Sequence, residues 1–247
     1  MEKITLLSAA GRELRLACIV CLVIVLGISV FPAAASSADL SELVEKANKG
    51  DAEAQTALAE RYQKGEGVPK NDAEAAKWYR KAAEQGVPDA QYTLGKMYGD
   101  GDGVTKNSAE AAHWYRKAGE QGVAAAQLTL GKMYREGKGV PENSAEAAKW
   151  YRKAADQDVV EAQATLGLMY ANGQGVPRDY AEAVKWYRKA AEQGDAKAQY
   201  GLGVMYNNGF GVDRDGGEAM KWFRRAAKQG YYGNPPTGIL RETPATF

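Results

Sequence analysis

Apolar side chains recur along most of this chain at the spacing of an α-helix. Within residues 72–86, Ala75, Trp78, Tyr79 and Ala82 stand at positions i, i+3, i+4 and i+7, with charged side chains between them. Such a stripe predicts a helix that buries one face and exposes the other. The same stretch returns every 36 residues along the chain. The five tryptophans mark this period, at Trp78, Trp114, Trp150, Trp186 and Trp222.

Each period contains a second helical pattern together with the signals that end and start helices. The first helix of the first unit is expected at about residues 52–64, because Gly65 suits a left-handed terminating residue and Pro69 cannot continue a helix. Asn71 and Glu74 have the spacing of a capping box for the second helix. A fixed period of this length is typical of helical repeat arrays. The predicted units are 52–86, 87–122, 123–158, 159–194 and 195–230.

The fold class predicted from this pattern is all-α, a solenoid of five 36-residue helix-turn-helix repeats within residues 52–232. Residues 36–51 carry one apolar helical stripe and lack the tryptophan, so we expect a half-repeat that caps the N-terminal end of the array. Asp158 replaces the glycine that closes the other units, and we expect backbone strain there. Residues 233–247 have no periodicity, and we expect them to be disordered.

Residues 1–35 have the organisation of a secretory signal peptide. Basic residues precede an apolar run at 16–31, and small residues follow it. As a helix this run would be about 24 Å long, short of the ~30 Å hydrocarbon core. We expect cleavage after Ala35 and export to the periplasm or the medium. The alternative is an uncleaved segment, which would be the protein's one membrane contact. Cys18 and Cys21 both lie here, so a cleaved chain could form no disulfide.

Charge and candidate chemistry add little to this interpretation. The formal net charge is +1, from 32 basic and 31 acidic residues, so nothing indicates a nucleic-acid partner. His113 is the one histidine, and it replaces a lysine on the polar face of a second helix. A metal site would need a cluster of ligating side chains. The glycine-rich turns follow helices and lack the phosphate-loop motif. We therefore expect no metal and no cofactor.

Two motifs of the unit resemble a known family. The patterns A-Q-x-x-L-G-x-x-Y-x-x-G-x-G-V and A-x-x-W-Y-x-K-A-A-x-x-G are similar to the Sel-1-like repeat, a relative of the tetratricopeptide repeat. The match covers about residues 52–230 and departs locally, for example at Ala59, where the other units have glycine. The resemblance implies a right-handed α-solenoid. It also implies a non-catalytic adaptor that holds a protein or a peptide. We expect a monomer.

An envelope enzyme or a cell-wall-binding protein is the alternative. A cysteine-rich branch of the same family is linked to penicillin binding and β-lactamase activity, but that branch staples each repeat with a disulfide. The S-x-x-K motif of serine β-lactamases is also absent, because none of Ser41, Ser108 and Ser144 has a lysine three positions later. We therefore expect no catalytic residue.

Three positions of the first helix vary between units, while the leucine at the Leu58 position stays fixed. They lie at i, i+4 and i+7, within an arc of about 60° opposite that leucine. Related solenoids place the first helix on the inner side, so this arc should line a concave groove; unconstrained surface is the other interpretation. Large apolar side chains in the arc favour binding. The predicted groove residues are Thr56, Glu60, Gln63, Tyr92, Lys96, Leu128, Lys132, Arg135, Leu168, Tyr200, Val204 and Asn207, with Tyr92, Leu128, Leu168 and Tyr200 as the main anchors.

Overall fold

The computed structural model describes residues 33–233, and this part of the chain contains eleven helices and no strand. The first helix, α1, covers Ala33–Asn48. Five helix pairs follow it. The pairs are α2 (Ala52–Lys64) with α3 (Asp72–Glu84), α4 (Pro88–Asp100) with α5 (Ser108–Glu120), α6 (Ala124–Glu136) with α7 (Ser144–Ala155), α8 (Val160–Asn172) with α9 (Tyr180–Glu192), and α10 (Ala196–Asn208) with α11 (Gly216–Lys228).

Each helix packs against the one before it and the one after it, as in a solenoid. The predicted all-α array of five 36-residue units is therefore confirmed. Even-numbered helices from α2 to α10 are called the A helices here, and odd-numbered helices from α3 to α11 the B helices. At the N-terminal end, Leu40 and Leu43 of α1 pack against a small cluster formed by Ala47, Ala54 and Leu58, so α1 covers the first A helix.

The turn inside each unit is held by one hydrogen bond that the capping-box pattern does not include. The Asn71 side chain accepts from the Glu74 backbone N–H at 3.1 Å, as the pattern predicts. The Asn71 backbone N–H, however, donates to the Tyr62 carbonyl at 2.8 Å, and the other four N-cap residues make the same bond. The Glu74 carboxylate pairs with Lys77 instead. The expected reciprocal bond is thus replaced by a link from the B helix back to the A helix.

The second glycine of each turn lies against the preceding unit. A Cβ on Gly139 would come within 2.1 Å of the Ser108 carbonyl oxygen at the start of α5. A Cβ on Gly103 or Gly175 would come equally close to the B helix of the unit before it, and one on Gly211 would come within 2.4 Å of Tyr180. Gly67 has no preceding B helix, and the nearest atom to its Cβ position is on the Arg61 side chain at 3.8 Å. In the other four turns the main constraint on the second glycine is therefore its close approach to the preceding unit.

Asp158 adopts the left-handed conformation that its position requires, with φ of 60°. It is the one non-glycine residue with positive φ among residues 33–233. This confirms the expected strain at the turn between the third and fourth units, because an L-residue adopts this region at a cost. The Asp158 carboxylate partly offsets that cost by accepting a hydrogen bond from Gln163 Nε2 at 3.1 Å.

Aromatic side chains of the B helices fill the space between the two helices of a unit. A Cβ on Gly131 of α6 would lie 2.9 Å from the Tyr151 ring of α7, and Gly95, Gly167 and Gly203 face their aromatic partners in the same way. The arginine of the B helix also reaches forward to the next unit. Arg188 Nη2 donates to the Tyr206 hydroxyl at 2.7 Å, and Arg80, Arg116 and Arg152 make the equivalent contact. These arginines therefore join successive units.

The signal-peptide prediction falls mainly on residues 1–32, and the disordered-tail prediction mainly on residues 234–247. Both segments lie outside the described residues. In the part of the chain that is described, no helix has the length and apolar character needed to cross a membrane.

Candidate functional site

Three successive A helices enclose a cavity of about 570 Å³ in the C-terminal half of the array. Its walls come from α6, α8 and α10, with a tyrosine of α9 and a residue that follows α11. The side chains used below are Arg135, Glu161, Leu168, Tyr187, Lys197, Tyr200 and Tyr231. A cavity built by the same face of consecutive A helices is the geometry expected for a groove along their inner side. We call this surface the A-helix groove.

The cavity brings together three of the predicted groove residues. Arg135 of α6, Leu168 of α8 and Tyr200 of α10 all line it, although each comes from a different unit. Lys132 lies beside them, where its Nζ makes an ion pair at 2.8 Å with Glu161 of α8. Leu128 of α6 is half-buried and packs against the core of the third and fourth units. The sequence-predicted arc is therefore continuous through the C-terminal half of the array.

In the N-terminal half of the array, the predicted groove positions carry more polar side chains. Several of these side chains bond to residues of their own unit. Glu60 makes an ion pair with Lys64, and Gln63 accepts a hydrogen bond from the Tyr79 hydroxyl at 3.1 Å. The Thr56 hydroxyl donates to the Ala52 carbonyl. Lys96 is exposed, and the Tyr92 ring packs against the Tyr115 ring at a centroid distance of 5.7 Å. None of these side chains lines the cavity.

Val204 was predicted as a groove residue, and its burial argues against that placement. Only 2% of it is exposed. Burial at this register rises along the array, from exposed Glu60 and Lys96, through half-buried Lys132 and Leu168, to Val204. At this last unit the chain after α11 covers Tyr200, one helical turn before Val204. Asn207 remains half-buried, and its carbonyl oxygen accepts from Arg214 Nε at 3.0 Å.

The Tyr200 side chain packs against two aromatic rings of its own unit and of the chain that follows it, so it is not a fully exposed binding residue. Its ring centroid lies 5.1 Å from that of Phe223 and 5.7 Å from that of Tyr231. An arc opposite the fixed leucine should lie away from the packed face, but Tyr92, Leu128 and Tyr200 of this arc all pack against neighbouring residues. The reason is that large side chains half-buried at the bottom of a groove contact the neighbouring B helix as well as a ligand.

The rim of the cavity carries both signs of charge. Arg135 and Lys197 supply positive charge, while Glu161 and Asp195 supply negative charge. The side chains of Arg135 and Glu161 are 46% and 58% exposed, so solvent screens them strongly. Opposite charges spaced along a rim favour a defined orientation of a ligand more than they add affinity.

Two tyrosines of the B helices lie close to groove residues, and the Arg135 guanidinium carbon is 5.9 Å from the Tyr151 ring centroid. Burial raises the pKa of Tyr151 to about 12, and burial likewise raises the pKa of Tyr187 above its ordinary value. Both hydroxyls are therefore protonated at neutral pH and can donate hydrogen bonds. The Tyr151 hydroxyl is buried and has no hydrogen-bond partner among the described residues. Tyr187 lines the cavity.

A ladder of buried glutamines links the units of the array, and the repeat pattern did not predict it. Gln127 is buried, and its Nε2 donates to the Gly119 carbonyl at 2.8 Å. Its Oε1 accepts from Gln157 Nε2 at 2.7 Å. The glutamines at positions 55, 91, 163 and 199 are buried and bonded in the same way. The signal in the sequence was a polar side chain kept in all five units beside alanine.

Metal binding depends on how the ligating side chains of the described residues group together. No group of three or more His, Cys, Asp or Glu side chains among them could hold a metal ion. His113 is exposed, as expected for a surface substitution, and its ring packs edge-on against Trp114.

Comparison with known proteins identifies the repeat unit. A family model described as Sel1 repeat matches five consecutive segments, at residues 52–87, 88–123, 124–159, 160–195 and 196–231. These segments correspond to the five helix pairs of the structure. A comparison with curated proteins gives no match.

Two solved structures resemble the chain over most of its length. One is a protective antigen present in uropathogenic Escherichia coli strains, which displays the same repeat fold. It is 42% identical with a TM-score of 0.70, and the similarity covers 77% of this chain but 41% of that one. The other is a Sel1 repeat protein from Oxalobacter formigenes. It is 39% identical with a TM-score of 0.70, over 85% of this chain and 86% of that one.

Proposed function

The chain belongs to the Sel1 repeat family, and on this basis we propose that it is a non-catalytic scaffold that binds a protein or peptide along the A-helix groove. Proteins of this family generally mediate protein–protein interactions and are typically not catalysts. The observation that carries the proposal is the cavity shared by Arg135, Leu168 and Tyr200. These three side chains come from three different units, and each stands at a position that varies from one repeat to the next.

The shape of the groove favours an extended segment as its ligand. Packed helices lie about 8–10 Å apart, so successive A helices present their side chains at roughly that interval. An extended chain covers about 3.3 Å per residue, so one unit corresponds to about three ligand residues. Apolar side chains of the ligand would contact Leu168 and Tyr200. The Tyr187 hydroxyl would meet its polar backbone, and the charged rim would fix its direction.

A capture experiment with matched charge reversals tests this function. The groove variant carries Arg135→Glu and Lys197→Glu, and both residues line the cavity. The control variant carries Lys77→Glu and Lys185→Glu on the B helices, where the side chains are 66% and 57% exposed. Both variants change the net charge equally. Quantitative mass spectrometry of envelope proteins captured by the full chain should show specific partners lost with the groove variant alone. Loss with the control variant alone would place the binding surface on the B helices.

We further propose that the protein acts outside the cytosol, on the basis of residues 1–35. The Escherichia coli relative is a protective antigen, which supports export by analogy. Cleavage after Ala35 would remove the first three residues of α1, Ala33–Asn48. N-terminal sequencing of the protein recovered from cells should begin at Ser36. A sequence that still contains Cys18 and Cys21 would contradict cleavage and favour an anchored protein.

A further inference from the structure

The chain that leaves the last helix turns into the A-helix groove. Helix α11 ends at Lys228, and Gly230 follows with φ of 76°. The Tyr231 backbone N–H then donates to the Ala226 carbonyl at 3.1 Å. This turn directs the Tyr231 side chain into the wall of the cavity, where its ring packs edge-on against Tyr200. The contact brings a residue beyond the repeat array into the predicted binding surface.

Gly233 lies directly on the Tyr200 ring. Its φ is 86°, and a Cβ at this position would come within 2.2 Å of Tyr200 Cζ. A side chain here would therefore clash with the ring, whereas glycine lets the backbone approach it closely. Gly233 is also the last described residue, so residues 234–247 start from the C-terminal end of the groove.

We propose that residues 234–247 occupy the A-helix groove as an internal ligand that a partner must displace. This inference rests on the proposed function of the groove and assigns it a second occupant. The segment reads Asn-Pro-Pro-Thr-Gly-Ile-Leu-Arg-Glu-Thr-Pro-Ala-Thr-Phe.

The length of the segment suits this site. Three A helices line the cavity, and at about 8–10 Å between neighbouring helices they span roughly 20 Å. About six extended residues cover that distance at ~3.3 Å each. Residues 234–247 therefore reach from Gly233 past Leu168 to Arg135 with several residues to spare.

The composition of the segment also matches the groove in order. Pro235 and Pro236 come first, next to the tyrosines at positions 187, 200 and 231, and proline-rich extended segments dock on aromatic-lined grooves. Ile239 and Leu240 follow six and seven residues after Gly233, about 20 Å along the groove at ~3.3 Å per residue, where α6 presents the half-buried Leu128. Arg241 and Glu242 follow, where the rim offers both Glu161 and Arg135. Apolar and charged residues of the segment thus meet groove residues of matching character.

Attachment to α11 strengthens such a contact. A short linker holds an attached ligand at an effective concentration in the millimolar range. Even a weak contact of the segment would then keep the groove largely filled. A partner would need to displace the segment. The partner's apparent affinity would then equal its affinity for the open groove multiplied by the fraction of chains whose groove is open.

Photo-crosslinking in the full chain tests the inference without any partner. The crosslinker p-benzoylphenylalanine replaces Leu240, and an otherwise identical chain carries it at Lys49, which lies just beyond the end of α1 at the opposite end of the array. Because both substitutions lie outside the array core, folding should not be affected. A mixture of isotopically light and heavy chains separates crosslinks within one chain from those between chains.

We expect crosslinks from position 240 to peptides of α6 and α8 within the same chain. At micromolar protein they should exceed crosslinks between chains by on the order of 10²-fold. Position 49 should give no crosslink to these peptides. Crosslinks from position 240 to the B helices, crosslinks mainly between chains, or none at all would each overturn the inference. Because no partner is present, such a failure would leave the capture experiment free to support the scaffold function.

Discussion

At the residue scale, the two glycines of each turn serve different purposes. The first ends an A helix in the left-handed conformation, as Gly137 does with φ of 65°. The second, Gly139, has φ of 73° and also lies against the Ser108 carbonyl of the preceding unit. This close approach locks the turn of one unit onto the start of a B helix in the unit before it. Loss of the approach should therefore weaken the interface between units.

The substitutions Gly139→Ala and Gly67→Ala separate the cost of a left-handed backbone from the cost of losing the close approach to the preceding unit. Both residues have nearly the same φ, 73° and 74°, but only Gly139 contacts the backbone of another unit. Gly67→Ala should lower the free energy of unfolding by about 1–2 kcal/mol, the cost of a left-handed alanine. Gly139→Ala should cost a further ~1–3 kcal/mol, because packed backbone must move. Chemical denaturation followed by circular dichroism measures both; equal losses would show that close approach contributes nothing.

At the element scale, the tryptophan of each B helix links its unit to the preceding one. Trp150 of α7 contacts Gly119 of α5, and it belongs to the core of the first three units. Trp222 of α11 belongs to the last core cluster, and α11 has no following unit. The two side chains are 7% and 8% exposed, so their burial is nearly equal. Any difference between them must therefore come from their position in the array.

Trp150→Ala should cost roughly 3–5 kcal/mol, the usual range for a buried tryptophan. Trp222→Ala should cost less in the main unfolding transition, because a terminal unit can open while the rest of the array stays folded. Urea titration of both variants measures the difference. Equal losses would contradict the view that stability is a sum over neighbouring units.

The elements themselves were predictable because each depends on local residues. Gly65 ends α2 and Asn71 starts the next helix, and both signals are read without knowing the tertiary structure. The links between helices were not predictable in the same way. The bond from the Asn71 backbone N–H to Tyr62, and the contact of Arg80 with Tyr98, depend on how one helix lies over another. The sequence period predicts where each helix lies, but it does not predict which residues of different helices come within bonding distance.

At the scale of the whole molecule, the cavity of about 570 Å³ lies in the C-terminal half of the array. Variation between units predicted the positions of Arg135, Leu168 and Tyr200, which the structure places around one cavity. It did not predict the burial of Val204, and it could not predict the cover over Tyr200, because that cover comes from the chain after α11. That segment interrupts the period, so comparison of the units carries no information about it.

The distribution of lysines over the two faces permits a direct test of the central claim, that partners bind along the A helices. Lys96 and Lys132 belong to the predicted arc, and Lys197 lines the cavity. Lys77, Lys149, Lys185 and Lys221 lie on the opposite side of the units, where each pairs with a glutamate of its own B helix. An amine-reactive crosslinker can therefore report which face a partner touches.

The deciding measurement is crosslinking mass spectrometry of the full chain with its captured partner. We predict that crosslinks to the partner map to Lys96, Lys132 and Lys197. The crosslinks at Lys96 and Lys132 should disappear in the variant that carries Arg135→Glu and Lys197→Glu, while the variant with Lys77→Glu and Lys185→Glu retains the crosslinks at all three lysines. Crosslinks that map instead to Lys149 and Lys221, on the B helices, would contradict the assignment of the A-helix groove as the binding surface.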